Sequence, residues 1–114
     1  TGLDNVLKRL PNGLSFKLSE GGRELSGGQK QILALTRAIA SDPSIILFDE
    51  PTSAMDPKHE VLFIRQMQQF IKNKTFIVIT HRKPILALTE RLIVIEAGKI
   101  VLDGPRDEVL SKFK

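Results

Sequence analysis

The chain contains no cysteine, tryptophan or tyrosine. Without cysteine there is no disulfide framework, no thiolate metal site and no cysteine nucleophile, a usage that fits a reducing, cytosolic setting. The missing Trp and Tyr leave few stacking platforms, and the basic residues are spread thinly except for Lys72, Lys74, Lys112 and Lys114. A net charge of +4 arranged this way describes a solvated surface, so no nucleic-acid partner is expected. No apolar run approaches the roughly 20 residues needed to cross a bilayer, and Thr1 onward has no charged-then-apolar leader. The chain is therefore expected to be soluble and to meet a membrane only through a partner.

What is present is 114 residues with 41% hydrophobic content, enough for one small core. Leu3, Val6, Leu7 and Leu10 predict a short amphipathic helix within residues 1–17, ended by Pro11, Asn12 and Gly13. A polar loop follows over residues 19–24, and from Ser26 a second helix carries Ile32, Leu33, Leu35, Thr36 and Ile39 on a broad apolar face. Residues 44–48 form a near-continuous apolar run, as expected of a strand buried on both faces of a parallel sheet. Pro57 can open the next helix, Asn73 and Lys74 break it, and residues 75–79 predict a second buried strand. A short helix is expected after Pro84. Residues 91–96 and 99–102 flank Ala97-Gly98 as a hairpin, Gly104-Pro105 punctuates, and a last helix is expected over 106–113. This order argues for an α/β layered fold with at least two parallel strands joined by a crossover helix.

Chemistry concentrates at three places. Leu25-Ser26-Gly27-Gly28-Gln29 stands directly before a helix, so a hydroxyl, two side-chain-free amides and the positive helix end converge on an anion-binding corner. An ordinary serine cap with flexible glycines reads the same residues more plainly. Asp49-Glu50 follows the first strand, at the sheet edge where open α/β folds hold ligands. Phosphoryl transfer needs one carboxylate for Mg²⁺, usually through water, and a second group to orient or deprotonate the attacking water; Asp49 suits the first role and Glu50 the second. His81, after the second strand, should emerge on the same edge. Asp56 is placed to cap the helix that begins at Pro57. His59 carries no expected role, and Gly21-Gly22 could be a simple turn.

Taken together, residues 25–29, 45–53, 53–56 and Thr80-His81-Arg82 resemble, in order, the ATP-binding cassette (ABC) ATPases over nearly the whole chain. The five-residue signature alone arises by chance in roughly one chain of this length in several thousand, so coincidence does not explain the set. The resemblance implies a partial P-loop NTPase fold, with parallel strands, flanking helices and a C-terminal antiparallel hairpin. Residues 1–43 would belong to a helical subdomain carrying a coupling loop and the signature, and 44–114 to the C-terminal part of the catalytic core. It implies that Leu25, Ser26, Gly27, Gly28 and Gln29 form a nucleotide-binding signature acting on an ATP held by an opposing subunit, with Ser26 and Gly28 meeting its γ-phosphate. Asp49 would serve Mg²⁺ through water, Glu50 would polarise the attacking water, and His81 would hold the γ-phosphate. Ser53, Ala54 and Asp56 would contact the second nucleotide-binding domain of a homodimer.

Glu20, Gly21 and Gly22 look like the exporter pattern, in which this loop touches a transmembrane domain. The flanks are most similar to type I secretion ATPases, which act at the cytoplasmic face of the bacterial inner membrane. Ser19 and Met55 depart from the usual glycine and leucine. No Gly-x-x-x-x-Gly-Lys-[Ser/Thr] loop occurs in these residues, so the chain alone is expected to be inactive as an ATPase. Two other classes are weighed: a DNA-repair or chromosome-organising ATPase of the same family, and a non-catalytic truncated interaction module.

Overall fold

The computed structural model describes residues 22, 23 and 25–113. The helix expected within residues 1–17 lies outside the described residues, as do Glu20, Gly21, Glu24 and most of the loop around them.

Helix α1 (Gly27–Ile39) opens on Ser26 in a capping box, because the serine Oγ accepts from the Gln29 N–H while the Gln29 side chain accepts from the Ser26 N–H. Strand β1 (Ile45–Asp49) leads through a turn to helix α2 (Pro57–Phe70), which is capped by Asp56 and has proline in its first turn. Strand β2 (Thr75–Ile79) returns parallel to β1, with Ile45 opposite Thr75 and Asp49 opposite Ile79. The crossover is α2, as the order of elements requires. Beyond the end of α2, Asn73 turns the chain toward β2 with a φ of 60°, the left-handed region that asparagine tolerates.

One 3₁₀ turn (Pro84–Leu88) precedes the hairpin of β3 (Arg91–Glu96) and β4 (Lys99–Pro105). Ala97 and Gly98 both have positive φ, as a two-residue turn of this twist demands. Between Val94 and Ile95 the register slips by one residue, a β-bulge that leaves Val101 without a partner. Arg91 and Asp103 close the hairpin with a two-pronged ion pair at 2.7–2.8 Å. Gly104 and Pro105, expected to interrupt the chain, instead lie within β4 opposite Leu92 and Arg91. Proline is accommodated there because β4, paired only with β3 among the described residues, is an edge strand. Helix α3 (Arg106–Ser111) is two residues shorter than expected.

Leu35, Ile46, Phe48, Met55, Met67, Ile85 and Leu88 form the core, with Phe63 and Phe76 packed on Phe48. The expectation that β1 is buried on both faces is not met among the described residues. Ile46 and Phe48 are buried, but Ile45 and Leu47 are 67% and 63% exposed, and Ile77 and Ile79 of β2 are exposed beside them. The core elements cover a single face of the strand pair. The run of apolar residues encodes a second cover that the described residues do not supply.

Candidate functional site

The parallel pairing of β1 with β2 decides where the chemistry collects. Because Asp49 stands opposite Ile79, the residues that follow each strand, Glu50 and Thr80-His81, leave the sheet side by side. Glu50 takes a φ of 46°, a left-handed conformation uncommon for a residue with a Cβ and costing on the order of 1–3 kcal/mol. Surrounding bonds hold it there. Its N–H donates to the Ile79 carbonyl at 2.8 Å, and its carboxylate accepts the His81 backbone N–H at 3.0 Å and the Thr80 hydroxyl at 3.4 Å. The His81 ring is almost wholly exposed, with Nε2 3.6 Å from a Glu50 oxygen. A solvent-facing imidazole is thus set beside a half-buried carboxylate, an arrangement able to orient a water and an anionic group together.

Asp49 is exposed at the last position of β1. Among the described residues no group of three or more His, Cys, Asp and Glu could hold a metal by itself. One exposed carboxylate fits a divalent ion that takes its other ligands from phosphate and water, which is the habit of Mg²⁺.

At residues 25–29 the structure shows a capped helix start. The capping box engages the Ser26 hydroxyl and the Gln29 side chain with each other, so both shape the helix start. Leu25 is buried and donates its N–H to the Gly22 carbonyl. Gly28 lies against the turn after β1: a Cβ there would come 2.9 Å from the Ala54 carbonyl oxygen. That turn is tightened by Ser53 N–H to Glu50 C=O and Met55 N–H to Thr52 C=O.

Sequence reasoning missed the residue that joins the two halves. The Gln31 side chain donates to the Glu50 carbonyl at 3.0 Å and to Ser53 Oγ at 3.2 Å, and accepts from the Ala54 N–H at 3.1 Å. The available signal was its position, three and four residues after Gly28 and Gly27 and so on their helix face. Also missed was Glu60, buried in α2, which receives two hydrogen bonds from Arg82 and one from Thr52. Burial pushes the Glu60 carboxyl up, but the Arg82 guanidinium and the Thr52 hydroxyl outweigh it and hold the carboxyl below the usual range. Arg82 is raised in turn by the Glu60 hydrogen bonds. Since Thr80 Oγ accepts the Arg82 N–H, this pair props the residues flanking His81. Asp56 is occupied elsewhere: the His59 backbone N–H, and then its ring at 2.6 Å, lower the Asp56 carboxyl below the ordinary value.

A family model described as ABC transporter matches residues 2–53. The alpha-hemolysin translocation ATP-binding protein HlyB of Escherichia coli O6:H1 is 40% identical over 111 residues, 97% of this chain and 16% of that protein. An ATP-dependent lipid A-core flippase of Desulfotalea psychrophila is 38% identical over 105 residues, 92% of this chain and 18% of that protein. In structure, a bacterial Atm1-family ABC exporter with ATP bound superposes with a TM-score of 0.87 at 31% identity, covering 99% of this chain and 20% of that one. The chain therefore spans less than a fifth of the length of the two curated relatives.

Proposed function

The chain belongs to the ABC transporter family, and from that premise we propose that it is the C-terminal part of an exporter's nucleotide-binding domain, contributing hydrolysis residues to an ATP site completed elsewhere. The observation that carries this reading is the meeting of Glu50 with Thr80 and His81 at the ends of two parallel strands, joined by Gln31 to the helix that starts at the Ser26–Gly28 corner. In it Glu50 orients and deprotonates the attacking water, and His81 steadies the γ-phosphate and the carboxylate beside it. Mg²⁺, held by Asp49 through water, would neutralise charge on the phosphates. Ser26, Gly27 and Gly28 would present the helix start to the nucleotide of a second domain, with Leu25 and Gln29 fixing that start. Ser53, Ala54 and Asp56 would face that domain in a homodimer.

Exporter character is supported by the relatives, whose names describe toxin translocation and lipid A flipping. We assign the partner as a transmembrane domain reached through Glu20, Gly21 and Gly22, at the cytoplasmic face of a membrane. The cargo class favoured is a protein or peptide, as for type I secretion. Because these residues include no phosphate-gripping glycine-lysine loop, the isolated chain should not hydrolyse ATP.

The test is Glu50→Gln in the natural full-length polypeptide. Loss of the base should lower kcat by about 10²- to 10⁴-fold while ATP still binds. Turnover within about twofold of the unaltered protein would overturn the assignment of Glu50.

A further inference from the structure

We propose that Gln31 is a positioning residue, which holds the Glu50 backbone, and through it the Glu50 carboxylate, in register with the Ser26–Gly28 corner; this rests on the reading of Glu50 as the hydrolytic base. All the hydrogen-bonding capacity that the Gln31 amide turns toward its neighbours is matched. Nε2 donates to the Glu50 carbonyl and to Ser53 Oγ, and Oε1 accepts the Ala54 N–H. Exchanging the amide's two ends would set oxygen against the Glu50 carbonyl and NH₂ against the Ala54 N–H, so a single orientation satisfies the site.

Glu50 needs such a hold. Its φ of 46° is not one that a residue with a side chain adopts freely. The bonds from its N–H to Ile79 and from its carboxylate to His81 and Thr80 all come from the β2 side. Gln31 is the side chain that grips the same residue from α1. Gly28 adds a second contact between the same two parts, because α1 approaches the Ala54 carbonyl so closely that a Cβ would meet it at 2.9 Å. A movement of the α1 start is thereby passed to the Glu50 carbonyl rather than absorbed by a loose turn.

In the full-length polypeptide, Gln31→Leu should lower kcat roughly ten- to a hundredfold, the scale set by a misplacement of about 1 Å, with KM for Mg-ATP changed by less than about twofold. Added to Glu50→Gln it should cost nothing further, since the route it acts through is already gone. Hydrogen exchange read by mass spectrometry should show the Ala54 amide exchanging at least about tenfold faster in Gln31→Leu. Gln31→Glu, nearly isosteric, retains an acceptor for the Ala54 N–H but turns an oxygen toward the Glu50 carbonyl. It should lower kcat while leaving that amide protected. Unchanged turnover in both variants, an equal fractional loss with and without Glu50→Gln, or unaltered Ala54 exchange in Gln31→Leu would each overturn the proposal. If Glu50→Gln itself leaves turnover intact, the functional reading fails on its own, and Ala54 exchange alone decides whether Gln31 holds the turn.

Discussion

At the scale of single residues, the site depends on which groups may approach closely. Gly28 is required because the Ala54 carbonyl occupies the space of a Cβ, and that neighbour is backbone, which cannot swing aside. Gly28→Ala is expected to destabilise the fold by about 1–3 kcal/mol, the range for overpacking, read as a lower denaturation midpoint. Gly98, at φ 74° in an open turn, is constrained by backbone conformation alone. The placement of Asp49, Glu50 and His81 at one sheet edge was legible in the sequence, because Asp49 ends β1, Glu50 follows it and His81 comes just after β2, and the apolar run of each strand is hard to misread. Gln31 and Glu60 were not, since their meaning lies in partners 19 and 22 residues away that come near only in the folded chain.

At the scale of elements, α2 bears most weight. Met67 is 2% exposed at the centre of the core, so Met67→Ala should cost about 2–5 kcal/mol in chemical denaturation. The Glu60 carboxyl is held below its ordinary value in the folded state. Its contribution is therefore fully present above the unfolded glutamate pKa and is lost as pH falls through the lower folded value. Acid titration of stability should lose part of that dependence in Glu60→Gln, and an unchanged acid limb would show that Arg82 and Thr52 do not hold the charge. Among the described residues, helices, strands and the hairpin were legible from periodicity and turn residues. The extent of β4 was not, because Gly104-Pro105 reads as a break, whereas β3 offers them partners through to Arg91.

At the scale of the molecule, the described residues leave one sheet face uncovered. Ile45, Leu47, Ile77 and Ile79 are exposed together, and Ile93, Ile95 and Ile100 are exposed on the hairpin. Apolar area of this kind drives association, so the isolated 114-residue chain should sediment as more than a monomer and bind a hydrophobic dye. A clean, protease-resistant monomer would contradict that expectation. The apolar runs signalled two covered faces; among the described residues one face is covered and the other, with Ile45, Leu47, Ile77 and Ile79, is not. On the proposed function the same division separates the groups that hydrolyse from the groups that grip. The most direct test is a calorimetric titration of the isolated chain with Mg-ATP, after circular dichroism has verified its helices, with phosphate release followed on the same sample. No binding tighter than about 1 mM and no release are expected if, as proposed, these residues supply hydrolysis groups without the phosphate-gripping loop. Micromolar binding with turnover would mean a complete nucleotide site within these residues, and the division of labour proposed here would be wrong.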